Sequence, residues 1–395
     1  MAVISGARGV GALLSANVKP DVDNQLKVLE PYQTPVLTWL MFINENSKVC
    51  TNKYGKFTWF EDAFFPHQTT VTSISGGSAS EDAITVSDST IFNTGDLCLI
   101  EATGDMVYVD SVAGGNVDIT YIDGSTSITA ASSGYIKIIG SRNLDYTSTA
   151  LRTAMTTKEV ENYNYLNTFV DFITTSEREE AGEAYTDGVD HDGLLEKRIK
   201  ELKLEVERWL VMSNSRGAVT SGNEQFTYGY GIDGRITTNV SSYVGILDED
   251  TFDDYLKDTL KLGVNRKLHI AGTEQMNEIH KFMKERYTLQ QTPGQKAVWN
   301  EYGIDAPTYR VFNGTVTLLW NPVMDGKFEN YGYTIDEESV MLRFAGASRK
   351  NGPRKFRVRD IDVGRNTGSE TEILFDVGLQ MDNESKSAKL YKSVA

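Results

Sequence analysis

One stretch of the chain carries a strong helical pattern. Between Ser176 and Gly217, Leu195, Ile199, Leu202, Val206 and Leu210 recur at four-and-three spacing, with Trp209 alongside. That spacing lines them up on one face of a 3.6-residue period. The pattern predicts a helix from Asp192, a residue suited to the N-cap, to Met212, about 30 Å long at ~1.5 Å per residue. Its opposite side is mixed, because Leu204 and Val211 form a thin second stripe among Lys197, Lys200, Lys203 and Glu207.

The flanks read as β-rich and non-repeating. Residues 1–55 have weak periodicity, with Pro20, Pro31 and Pro35 and one apolar stretch from Val36 to Ile43, and are read as an extended arm. Phe57 to Pro66 (FTWFEDAFFP) is rich in strand formers and predicts a strand leaving the body. From about residue 69 to 140, short strand-like runs alternate with turn signals such as Gly104-Asp105 and Gly114-Gly115-Asn116, which predicts a small all-β module. A second long strand is expected through Tyr163, Tyr165, Leu166, Phe169 and Phe172, pairing with the outgoing one, so the module sits inside a hairpin.

Beyond the long helix the elements are mixed. A helix is expected from Thr251, as its cap, to Leu262, stopped by Gly263, then a strand from Lys267 to Ala271. A helix from Thr273 to Tyr287 should bury Met276, Ile279, Met283 and Tyr287. Asn313-Gly314 between TYRVF and TVTLLW is a hairpin signal. In TEILFDVGLQM, Ile373, Phe375, Val377, Leu379 and Met381 alternate, which predicts a strand with one buried face.

Composition narrows the function. With 395 residues, 40% of them hydrophobic, the chain can build two or three cores. A formal charge of -16 disfavours wholesale binding to nucleic acid or anionic membrane. Two cysteines, Cys50 and Cys98, make neither a disulfide framework nor a thiolate zinc site. Arg8 interrupts the first apolar run and TPVLTWLMFI is too short to span a bilayer, so neither export nor membrane insertion is expected, and cytoplasmic synthesis is.

Candidate chemistry is sparse. Gly229-Tyr-Gly231-Ile-Asp-Gly234 fits G-x-G-x-x-G, but RITTNVSSY follows where a phosphate-binding helix should start. Asp190, His191 and Asp192 are adjacent, suited to helix capping rather than to one metal ion. His67, His269 and His280 lack a neighbouring nucleophile motif. No catalytic, cofactor or metal residue is assigned, and no cofactor is expected. Against the acidic background stands one basic run, RKNGPRKFRVRDID, with Arg349, Lys350, Arg354, Lys355, Arg357 and Arg359. Its alternation suggests a strand with guanidinium groups outward, suited to carboxylates on another subunit.

The order of these parts, PYQTPVLTWL, then FTWFEDAFFP and YNYLNTFVDFITTSERE as a strand pair, the charged helix ending in Arg216-Gly217, a mixed region and the closing ETEILFDVGLQMDNESKSAKLYKSV, resembles the major capsid proteins of tailed bacteriophages. The resemblance implies an α+β fold of the Hong Kong 97 type. It assigns residues 1–55 to an N-terminal arm and 56–176 to an E-loop carrying the all-β insertion at about 69–140. Residues 177–216 become a peripheral domain with the spine helix, 217–345 an axial domain, and 346–395 the peripheral return strands. It further implies a non-enzymatic shell protein, in hexamers and pentamers of itself, with separate scaffolding, portal and decoration proteins as partners. Packaged double-stranded DNA would be touched non-specifically, without any membrane, in a virion assembled in the host cytoplasm. The expected contacts between subunits are Trp59, Phe60, Glu61, Asp62, Phe64 and Phe65 near the base of the loop, and Glu177, Glu179 and Glu180 at its return. These acidic groups would meet the basic run from Arg349 to Arg359. A cellular nanocompartment shell of the same fold and a β-rich carbohydrate-binding or adhesive protein are the alternative readings.

Overall fold

The computed structural model describes residues 34–43, 47–52, 54–76, 81–122, 134–141, 155–182, 190–221, 224–286, 307–346, 356–361 and 368–393. The chain divides into two compact units, one made of Met1–Trp59 with Asn162–Ala395, the other of Phe60–Glu161. The architecture is α+β.

The second unit is a closed barrel. Its strands are β3 (Gln68–Gly76), β4 (Glu81–Val86), β5 (Asp96–Ile100), β6 (Met106–Ala113), β7 (Asn116–Tyr121) and β8 (Tyr135–Ser141), joined in the order β3-β4-β7-β6-β5-β8. Closure removes the sheet edges. Alternate residues point inward, among them Ile84, Cys98, Ile100, Val107, Val117, Ile119 and Ile136, all with 1% or less of their surface exposed. Gly114 and Gly115 make the β6–β7 reversal at φ +61° and +94°, a region that costs a side chain strain.

The first unit begins, among the described residues, with α1 (Pro35–Thr38), continued by a π-helical turn Trp39–Ile43. The apolar stretch read as an extended arm is therefore helical, and Val36, Leu37, Trp39 and Leu40 are buried in the main core. Next come β1 (Ser47–Cys50) and β2 (Lys56–Glu61), and β2 pairs with β9 (Val160–Tyr165). The return strand is not continuous, and only its first part pairs with the outgoing one. Leu166 leaves the ladder, donating its N–H to the Gly55 carbonyl and accepting from Thr227 Oγ1. Then β10 (Asn167–Ser176) crosses into another sheet.

A one-turn helix α2 (Glu177–Glu180) precedes α3 (His191–Met212), the predicted long helix at 22 residues. Its cap is Asp190, whose Oδ1 accepts from the Gly193 N–H, rather than Asp192, which lies in the first turn. Leu202, Val206 and Leu210 are buried, with Leu195, Ile199 and Trp209 packed at the margin. Val211, expected on a second stripe, joins the same core, and Glu207, expected on the polar side, is fully buried.

The remaining elements are β11 (Gly217–Ser221), β12 (Glu224–Tyr228), α4 (Ile232–Arg235), β13 (Val240–Tyr243), α5 (Glu249–Thr259), β14 (Arg266–Ala271) and α6 (Thr273–Arg286). After them come β15 (Thr308–Val311), β16 (Gly314–Trp320), β17 (Tyr331–Asp336), β18 (Val340–Ala345), β19 (Arg357–Ile361), β20 (Gly368–Met381) and β21 (Ala388–Lys392). One sheet runs β13-β21-β17-β14-β16-β15 and another β1-β18-β20-β10, with β19 also on β20. The sequence boundary at 345/346 is not a sheet boundary, because β18 pairs with β20 while β21 sits between β13 and β17.

Helix α5 starts at Glu249 because Asp248, not Thr251, caps it, and ends at Thr259. The buried Lys267 Nζ donates to the carbonyls of Thr259 and Leu262, at and just past that end, and to that of Lys386 before β21. On α6 Ile279 is buried, with Met276 and Met283 packed beside it, while Tyr287 lies outside the described residues. Strand β20 was expected to bury one face, yet every residue from Thr371 to Met381 is buried, Glu372, Asp376 and Gln380 included. It is an interior strand, with β10 on one side and β18 and β19 on the other.

Candidate assembly surfaces

The expected contact residues divide by strand alternation. In β2, Phe57 and Trp59 face inward, their rings stacked at 6.0 Å, so Trp59 is a core residue, while Phe60 is exposed. Phe64 is fully exposed and Phe65 partly so. Predicted as strand, the segment after Glu61 has no regular structure up to His67. Asp62 accepts from the Ala63 N–H and from Thr157 Oγ1 at 3.2 Å. Together with Phe64, Phe65, His67, Asn93 and Asp96 it lines an open cavity of about 700 Å³ within the barrel unit.

Glu177 and Glu179 are exposed on α2, where Ser176 Oγ caps the Glu179 N–H and the helix N-terminus favours negative charge. Glu180 belongs to the same turn. Of the basic run, Arg349, Lys350, Arg354 and Lys355 lie outside the described residues. Arg357 and Arg359 are on β19, and Arg359 Nε pairs with Glu372 Oε2 of the same chain. A carboxylate partner is thus supplied internally for Arg359.

Register exposes a feature that sequence reading passed over. Val170 stands opposite Leu374, which stands opposite Arg357, and Phe172, Glu372 and Arg359 form the next row. Opposed residues share a sheet face, and Val170 (40% exposed) and Phe172 (49%) are open on it. Other exposed apolar groups stand at the two ends of the six-stranded sheet's edges: Val244 and Ile246 after β13, Phe312 in the β15–β16 turn. No periodicity marks these, because a loop apolar residue has no face to be assigned to.

Several residues weighed for chemistry have packing or hydrogen-bonding partners. Carbonyl oxygens of Tyr165 and Leu210 lie 2.3 Å from where a Cβ would sit on Gly229 and Gly231 respectively, so these glycines permit close packing. His191 bridges Thr175 and Thr371 through its two ring nitrogens. His269 is buried beside Phe252 and Tyr255, and burial pushes its pKa down to about 3. Among the described residues no group of three or more His, Cys, Asp or Glu side chains could hold a metal ion, and no helix is long and apolar enough to cross a membrane. Cys50 and Cys98 are buried free thiols, the latter pushed up to about 12 by burial.

Glu207 is a polar site the helical pattern hid. Its Oε1 accepts from the Val36 N–H and from Asn321 Nδ2, each at 2.9 Å, and its Oε2 from the Leu37 N–H at 2.7 Å. Burial pushes its pKa up to about 7 against the pull of these three donors.

Among solved structures, the chain is similar to the capsid of a native GTA particle at 12% identity, covering 98% of each chain with a TM-score of 0.49. Similarity to Microbacterium phage Oxtober96 stands at 8% identity, 97% of this chain, 98% of that one and TM-score 0.47. For the SrpI encapsulin complex of Synechococcus elongatus PCC 7942 the figures are 12%, 60%, 77% and 0.41. No curated protein matches. The model of the SU10 major capsid protein family matches residues 8–393, nearly the whole chain. On that match the chain belongs to the SU10 major capsid protein family and is a shell-forming structural protein of a phage virion.

Proposed function

We propose that copies of this chain close into an icosahedral shell of the Hong Kong 97 type around a double-stranded DNA genome, without catalysing a reaction or using a cofactor. The family match over residues 8–393 carries the reading. The order of elements agrees with it: the strand pair β2 and β9 flanks an inserted barrel, the long helix α3 follows, and five strands of the six-stranded sheet, β13 to β17, precede the closing strands β20 and β21.

In this reading residues 1–55 are the N-terminal arm, 56–176 the E-loop, 177–216 with 346–395 the peripheral domain and 217–345 the axial domain. Because β18 pairs with β20 and β21 with β17, we assign β18 to the peripheral part and β21 to the axial part within this reading. Hexamers and pentamers form through many modest contacts, each weak enough to correct and collectively lasting. Scaffolding, portal and decoration proteins act as separate partners, assembly takes place in the host cytoplasm, and DNA is met non-specifically, consistent with a net charge of -16.

The subunit contacts proposed are Phe60, Glu61, Asp62, Phe64 and Phe65 of the loop base and Glu177, Glu179 and Glu180 of its return, facing the basic run of a neighbour. Double charge reversal, Arg354→Glu with Arg357→Glu, should abolish particle formation while the far-UV circular dichroism and unfolding midpoint of the subunit stay put. Particle yield equal to that of the unaltered chain would remove the basic run from the interface.

A further inference from the structure

The six-stranded sheet has two edges, and they are built differently. At one, β15 carries the exposed Arg310. At the other, β13 carries no charge, since from Ile236 to Leu247 the chain holds no Asp, Glu, Lys, Arg or His. That stretch also lacks proline, and the register of β13 on β21 runs without a bulge. An open strand edge free of charge, proline and bulge is a template for another strand, which is why edges ordinarily carry one of these.

Register identifies the open groups. Lys389 donates its N–H to the Asn239 carbonyl and Ser393 to that of Tyr243. In a parallel ladder the bonding residues recur at every second position. Asn239, Ser241 and Tyr243 therefore face β21, while the N–H and C=O of Val240 and Ser242 point away from it. Among the described residues nothing pairs with that outer edge. Val240 is 41% exposed, and Val244 and Ile246 just beyond the strand are 70% and 75% exposed.

The strand is held in place at both ends. Asn239 Nδ2 donates to the carbonyls of Ser385 and Ser387 at its start. At its finish the buried Tyr243 hydroxyl and the Leu247 N–H each donate to Glu278 Oε2 at 3.0 Å, and Lys392 Nζ donates to Glu278 Oε1 at 3.2 Å. A strand pinned in this way presents its edge without having to be ordered on binding.

We propose, on the reading that copies of this chain build a shell, that the outer edge of β13 takes a strand from a second copy and extends the six-stranded sheet across the subunit boundary. Charge selects a second copy as the occupant. At -16 overall, like copies repel one another at long range, and an uncharged edge flanked by open Val240, Val244 and Ile246 lets two of them close to strand spacing, about 4.8 Å, without opposing like charges. Glu384, which takes bonds from Thr237 and Thr238 ahead of the strand, is paired with Arg235. Main-chain hydrogen bonds supply the attachment and the apolar side chains its selectivity.

Hydrogen–deuterium exchange tests this through its alternation along the strand. In the unassembled subunit the amides of Ser241 and Tyr243 should be protected, and those of Val240 and Ser242 should exchange at close to the unfolded rate. In particles formed by the chain, the amides of Val240 and Ser242 should slow by about 100-fold or more, read residue by residue through electron-transfer fragmentation of the quenched protein. Particles in which these two amides stay fast overturn the paired edge and leave the shell standing, whereas a chain that forms no particles removes both. Protection already present in the monomer, or found only in particles carrying a second protein, also overturns it. Ser242→Pro deletes one outward N–H and spares the ladder to β21, in keeping with the tolerance of edge strands for proline. Should proline disturb the fold, Ser242→Lys places a charge on the same edge. Particle yield should fall by about tenfold or more in whichever variant folds, with the urea midpoint of the subunit unmoved. Yield equal to that of the unaltered chain contradicts the pairing.

Discussion

At the scale of single residues, the positions that matter most are those where two backbones nearly touch. Gly231 is the sharpest case, since a Cβ there would lie 2.3 Å from the Leu210 carbonyl and 2.4 Å from that of Trp209, both in the last turn of α3. Gly231→Ala must push α4 off that helix end, and should lower the stability of the subunit by at least about 2 kcal/mol, read as the urea midpoint. A loss below a few tenths would mean the contact relaxes freely. The sequence presents this glycine inside a G-x-G-x-x-G pattern. What it could not show was the Leu210 carbonyl. Glu207 was hidden for the same reason. A glutamate among lysines on a helix looks solvated, and the three donors that bury it come from segments remote in the chain.

Elements were legible in proportion to how local their causes are. The period of α3, strand β14 and helix α6 are written in neighbouring residues, and the structure places them within a residue or two of where the pattern does, while the barrel strands fall in the stretch read as a small all-β module. The hairpin at Asn313-Gly314 was legible as well, though Gly314 already belongs to the ladder opposite Val311, and Phe312 and Asn313 make the turn. Gly314 is needed because the Asn265 carbonyl passes 2.3 Å from its would-be Cβ. Misread elements were those decided at long range: α1, whose cap lies on α3, and β10, which abandons β2 for β20. The two stripes of α3 offer a direct check. Val206→Ala and Leu210→Ala should each cost about 2–4 kcal/mol through cavity formation, whereas Leu204→Ala, at a half-exposed site, should cost under about 1 kcal/mol, all by denaturant unfolding of the unassembled chain. Equal costs would mean that α3 packs on both sides.

For the whole molecule, the exposed apolar groups of the loop base, of the β10 face and of the six-stranded sheet's edge loops lie on different elements. A surface of that kind suits heterologous contacts, in which unlike patches of successive copies meet and the ring closes by rotation. The sequence carried the family through the order of its parts. It did not carry the surfaces, because an interface is a property of side chains brought together by register, such as Phe172, Glu372 and Arg359, from three strands. That this protein's work is to touch copies of itself is most directly tested by electron microscopy of the expressed chain. Closed icosahedral particles of megadalton mass are the expected result. Discrete monomers or small oligomers, at concentrations where the subunit is folded, would contradict it.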